Sequence, residues 1–136
     1  MARLKVETTH GRPRREILKG LLAYNRRAAG ELGHRRATIT LRERGRVVGG
    51  LAGEMFFGWL YVSLLWISDD YRGYGFGSKL MKAAEKEARR HGVKQAWLDT
   101  FSFQAPGFYR KLGYRSFGRL KDFPAGHSRT FLTKAL

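Results

Sequence analysis

The chain has 136 residues, of which 27 are Lys or Arg and 11 are Asp or Glu, giving a net charge of +16 at pH 7. That length makes one domain able to bury a core without staples, and the absence of cysteine excludes disulfides, thiolate metal sites and a cysteine nucleophile. A field of this sign draws polyanions, from nucleotides and acidic substrates to RNA.

Leu4–Thr8 alternates in polarity and predicts a short first strand. Gly11-Arg12-Pro13 opens a helix, with proline in the first turn, where its missing N–H costs nothing. Ile17, Leu18, Leu21 and Leu22 follow at helical spacing until Gly30. Ala37–Leu41 reads as a second strand, Arg44-Gly45 as a hairpin turn and Val47–Leu51 as a third strand, with Glu54 at its end. Phe57-Gly58 turns into a fourth strand, Trp59–Ser68, apolar enough to be buried on both faces.

A helix is expected from Gly75 to His91. Phe76, Leu80, Ala84 and Ala88 face inward, and Glu85 and Arg89 make an i,i+4 pair on the wet side. Gln95–Thr100 is a fifth strand and Pro106–Leu112 a short helix. Tyr114–Leu120 and Thr130–Lys134 are closing strands around a loop that carries His127. His10, His34, His91 and His127 stand at no metal-ligand spacing, so no metal is expected. The first residues lack the apolar run of a leader, and no window approaches the ~20 apolar residues of a membrane span. The expectation is a soluble, cytoplasmic chain with no membrane partner.

The segment Arg72-Gly73-Tyr74-Gly75-Phe76-Gly77-Ser78 joins the fourth strand to the central helix. Glycine permits positive φ and close backbone approach, a helix start offers unpaired amides and a positive dipole end, and arginine grips phosphate oxygens. The segment therefore reads as a diphosphate cradle. It is neither a P-loop, because no glycine precedes Gly77-Ser78-Lys79 at the required spacing, nor a dinucleotide fingerprint, because Ser78 occupies the third glycine position. What remains is R-G-x-G-x-G, which resembles the acyl-CoA site of the GNAT superfamily of N-acetyltransferases. Downstream, Ala105, Tyr109, Lys111, Gly113 and Tyr114 match that superfamily's N-x-x-A-x-x-x-Y-x-K-x-G-F motif, with Ser102 in place of the asparagine. A serine hydroxyl still donates and accepts, so the contact is weakened.

The resemblance implies a single N-acetyltransferase domain over residues 1–136. Its fold would be α/β (α+β): a mixed sheet of about six to seven strands, splayed between the fourth and fifth, with three to four flanking helices. It implies direct acetyl transfer from acetyl-CoA to a primary amine, most naturally of a small molecule. Coenzyme contacts would come from the backbone of Leu65, Trp66 and Ile67, from Arg72, Gly73, Tyr74, Gly75, Phe76, Gly77 and Ser78, and from Ser102 and Tyr109. A backbone N–H beside Leu65 would polarise the thioester.

Tyr109 would protonate the departing thiolate. The base is first Asp99, then His127, then Glu54. Two other readings stand beside this one. A macromolecular acceptor, a protein amine or charged tRNA, would use the basic surface. A non-catalytic nucleic-acid-binding module has charge alone in its favour, since no RNP or helix-turn-helix signature is present. Related enzymes are often dimers, which leaves a homodimer open.

Overall fold

A computed structural model describes residues Arg3–Leu136. They form two compact units, one ending at Leu32 and the other spanning Gly33–Leu136. In the first, α1 (Arg14–Ala29) starts behind Pro13 and stops at Gly30, whose φ of 85° is glycine territory. The strand expected at Leu4–Thr8 does not form, and the side chains of Leu4 and Val6 are fully exposed. Five alternating residues are a strand only when a neighbour completes their hydrogen bonds, and alternation alone does not supply one.

The second unit is built on six strands: β1 (Arg35–Glu43), β2 (Arg46–Phe56), β3 (Trp59–Ile67), β4 (Gln95–Phe101), β5 (Arg115–Lys121) and β6 (Ser128–Ala135). They lie in the order β1-β2-β3-β4-β6-β5. Arg44 and Gly45, and likewise Phe57 and Gly58, have positive φ at the two successive turn residues. That is the turn chemistry that matches the twist of a tight hairpin, so β1, β2 and β3 form a meander. Only β3 and β4 are parallel, which makes the sheet mixed, as expected. The crossover between them is α2 (Phe76–Arg90); α3 (Pro106–Lys111) follows β4.

The core lies between the sheet and α2. Leu60, Val62, Ala96, Leu98 and Leu132 from the strands meet Leu80, Met81, Ala84 and Ala88 from the helix. Two expectations need correction here. Glu85 is not on the wet side of α2 but buried at 3 % exposure. Its carboxylate accepts from the Tyr114 hydroxyl at 2.8 Å and from Lys134 Nζ at 2.9 Å. Both partners arrive from β6 and the turn before β5, and they satisfy a charge that burial alone would forbid.

Nor is β3 buried on both faces. Leu60 and Val62 are buried, but Leu64 and Trp66 are exposed. Ser63 is an extra residue between the Gly53–Val62 and Ala52–Leu64 pairs, and this bulge turns Leu64 and Trp66 to the face opposite Leu60 and Val62. β3 pairs with β4 only over Trp59–Val62 against Gln95–Leu98, and beyond those residues the strands part. This is the splay expected between the fourth and fifth strands, which are β3 and β4 once the first expected strand is removed.

Candidate active site

Where β3 and β4 part, a cleft of about 1050 Å³ opens. Leu65, Trp66 and Ile67 form one wall, Asp99, Thr100 and Phe101 the other, and the glycine loop closes one end. Along Ser63–Ile67 the backbone edge that faces away from β2 has no partner strand. Such an edge offers N–H and C=O groups to an extended ligand, as an added strand would use them. One of those groups is already engaged, because Arg72 Nε donates to the Ile67 carbonyl at 3.0 Å.

Gly73 and Gly75 adopt φ of 84° and 81°, which an L side chain resists, and this folds the loop over the start of α2. Gly75 is the N-cap, and no side chain caps the helix. The first amides of α2 are thus left for an external acceptor. Gly77 serves another purpose: a Cβ there would stand 3.2 Å from the Phe108 ring, so its absence lets α3 close against α2. Arg72 folds back, with Nη1 3.3 Å from Asp69 Oδ1. Phe76, Gly77 and Ser78 line the cleft, whereas Tyr74 is exposed and does not.

Deeper in the cleft, Asp99 accepts from Arg129 Nε at 2.8 Å and from the Tyr61 hydroxyl at 3.4 Å. Tyr61 is fixed by stacking on Trp97, with ring centroids 4.2 Å apart. The Arg129 guanidinium lies within 5.5 Å of the Phe101, Phe123 and Phe131 ring centres. Tyr109, half-buried on α3, lines the same cleft. Burial, and secondarily the Asp99 charge, raise the pKa of both Tyr61 and Tyr109 above the ordinary phenol value. Both phenols therefore stay protonated at neutral pH and are proton donors. Among the described residues, nothing hydrogen-bonds the Tyr109 hydroxyl.

The other candidates lie elsewhere. Ser102 Oγ accepts from the Ser128 N–H at 3.0 Å and sits 3.3 Å from His127 Nδ1, which takes both side chains out of the cleft lining. Glu54 is also outside it, paired with His34 at 3.1 Å. Gln104 lines the cleft just beyond β4, and its Oε1 accepts from the Phe101 N–H at 2.8 Å. Sequence reading missed Gln104, Arg129 and Phe108. The one available signal was Phe108 preceding Tyr109 in a short helix that must pack on a glycine. Among the described residues no cluster of His, Asp or Glu is arranged to hold a metal, and no helix is long and apolar enough to cross a membrane.

An open strand edge, a loop of free amides and a protonated phenol at one cleft are the parts of an acyl-group transferase. Residues 7–114 match the model of the Acetyltransferase (GNAT) family. The chain is 43 % identical over 101 residues to a blasticidin-S acetyltransferase of Streptomyces morookaense, covering 74 % of each chain. It is 40 % identical over 115 residues to an acetyltransferase of Agrobacterium fabrum, covering 84 % of each. The crystal structure of an acetyltransferase from Bacillus cereus superposes with a TM-score of 0.91 at 32 % identity, over 98 % of each chain. The chain belongs to the GNAT family and is an N-acetyltransferase.

Proposed function

We propose that this N-acetyltransferase takes its acetyl group from acetyl-CoA and delivers it to a primary amine of a small molecule. The observation that carries the reading is the continuity of the cleft. The free edge of β3 runs from the uncapped start of α2, suited to a diphosphate, to Asp99, Tyr61 and Tyr109. A ligand with a diphosphate at one end, amides in the middle and a thioester at the other fits that sequence of groups. The likeness to a blasticidin-S acetyltransferase supports a small acceptor.

When bound, acetyl-CoA supplies an activated acyl group, and the protein's residues do the rest. Backbone amides from Gly73 to Ser78 hold the diphosphate, with the Arg72 side chain beside them. The β3 edge at Leu65 and Trp66 aligns the pantetheine arm, and an N–H beside Leu65 polarises the acyl carbonyl. Asp99 is the carboxylate of the cleft and takes the amine proton, with the Tyr61 hydroxyl in contact with it. Tyr109, protonated at neutral pH and with an unengaged hydroxyl, gives its proton to the leaving sulfur. His127 and Glu54, both outside the cleft lining, are set aside as bases on these grounds.

The test is release of free thiol from acetyl-CoA across a panel holding blasticidin S, other small amines, peptide N-termini and charged tRNA. Turnover with one or more small amines is expected. Thiol release with tRNA or peptides alone would move the assignment to a macromolecular acceptor, and none with any acceptor would remove the acetyl-CoA reading.

A further inference from the structure

The ladder between β4 and β6 sets Phe101 opposite Arg129 and Asp99 opposite Phe131. Alternation along each strand then puts all four on one face of the sheet, with Asp99 and Arg129 as diagonal neighbours. Arg129 Nε donates to Asp99 Oδ1 at 2.8 Å, and this is the one side-chain hydrogen bond Arg129 makes among the described residues. Three rings surround its guanidinium: Phe101 and Phe131 from the ladder and Phe123 from the loop before β6, with centres 5.2–5.5 Å away. Ring faces attract a cation without bringing a second anion, so the box holds Arg129 in place and leaves its charge to Asp99.

The oxygens of Asp99 are unequal. Oδ1 is bonded to a permanent cation, whereas Oδ2 has only the Tyr61 hydroxyl at 3.4 Å, a long contact. Asp99 is also the more enclosed partner, with 11 % of its side chain exposed against 27 % for Arg129. Enclosure disfavours a charged carboxylate, and an adjacent cation favours it. The titratable groups that face Asp99 are Tyr61 from β3, Tyr109 from α3 and Arg129 from β6. Both phenols are neutral, so Arg129 alone among the three supplies a charge.

We infer that Arg129 is a positioning residue: it clamps Asp99 through Oδ1 and keeps it ionised, which leaves Oδ2 as the oxygen that takes the proton from the acceptor's ammonium group. The inference rests on the reading of Asp99 as the base. In that step an N–H bond of the ammonium breaks, its electron pair stays on nitrogen for attack on the acyl carbon, and an O–H bond forms at Oδ2. Arg129 exchanges no proton.

Carboxyl carbon NMR of the full chain tests the clamp without any acceptor, the Asp99 resonance being the one lost in D99N. In R129Q its titration midpoint should lie about 1–3 pH units above that of the wild type, and R129K should restore most of the difference. In the wild-type protein the Arg129 Nε–H resonance should titrate with the same midpoint as the Asp99 carboxyl, a measurement that needs no variant to fold. Thiol release from acetyl-CoA with a small amine of the panel above gives the second readout: the acid limb of the kcat profile should move up in R129Q by the same interval. Equal midpoints in wild type and R129Q, or an Nε–H signal that ignores the carboxyl, would overturn the clamp. A midpoint that moves beneath an unmoved acid limb would keep the ion pair but remove Asp99 as the base, and the positioning role with it.

Discussion

Replacing Tyr109 with phenylalanine isolates one proton. The ring packs against Phe108 and Tyr114, with centroids 5.0 and 6.3 Å away, and those contacts survive the change. The hydroxyl has no hydrogen-bond partner among the described residues, so its loss strands no donor or acceptor. The melting free energy should therefore move by less than about 0.5 kcal/mol. Activity should respond differently. A positioned general acid contributes roughly 10²–10⁴-fold, which is about 2.7–5.4 kcal/mol of barrier. Tyr109→Phe should lower kcat by that range, with coenzyme affinity changed less than about threefold. The assay is steady-state thiol release with calorimetry of coenzyme A alongside. An unchanged kcat would remove Tyr109 from proton transfer, and a loss confined to coenzyme affinity would make it a packing residue of the cleft.

Asp99→Asn should lower kcat by about 10²-fold and change the pH–rate profile, because the cleft loses its carboxylate; an unaltered profile would assign the base elsewhere. Glu85→Ala should destabilise the fold by about 3–5 kcal/mol in denaturant titration, since it leaves Lys134 and Tyr114 without their buried partner. Alkaline stability gives a signed test of the same network. Burial and the hydrogen bond to Glu85 raise the Tyr114 pKa far above the ordinary phenol value. The unfolded chain therefore releases this proton near pH 10 while the native state retains it, and stability falls as pH rises beyond that point. Tyr114→Phe should flatten that fall in melts between pH 9 and pH 11 at a cost of about 1–3 kcal/mol at pH 7; an equally steep decline in the variant would contradict the linkage. Gly75→Ala, at φ 81°, should weaken coenzyme A binding and cost about 1 kcal/mol of stability.

Local chemistry was the legible part of this chain. The local conformation from Arg72 to Ser78 was legible because positive-φ glycines and a helix start are short-range features. The hairpin turns at Arg44-Gly45 and Phe57-Gly58 were legible for the same reason. Distant partners were not. Glu85 looks solvated beside Arg89, and only Tyr114 and Lys134, 29 and 49 residues downstream, make its burial tolerable. Arg129 reaches Asp99 across 30 residues, a pairing no local pattern announces. Leu4–Thr8 failed in the opposite sense: its alternation is genuine, but alternation records only one side of a ladder. The serine that replaces asparagine at position 102 did signal a change. The structure turns Ser102 toward His127, whereas Gln104 lines the cleft.

The parallel ladder between β3 and β4 has a mechanical consequence. Three strands lie on either side of it, each set zipped by antiparallel pairs, and only four register pairs join the two sets within the sheet. Leu60, Val62, Ala96 and Leu98 are all buried along that seam, making it among the driest and tightest places in the molecule. That dry seam, and not the loops around the mouth, sets the point at which the two half-sheets begin to part.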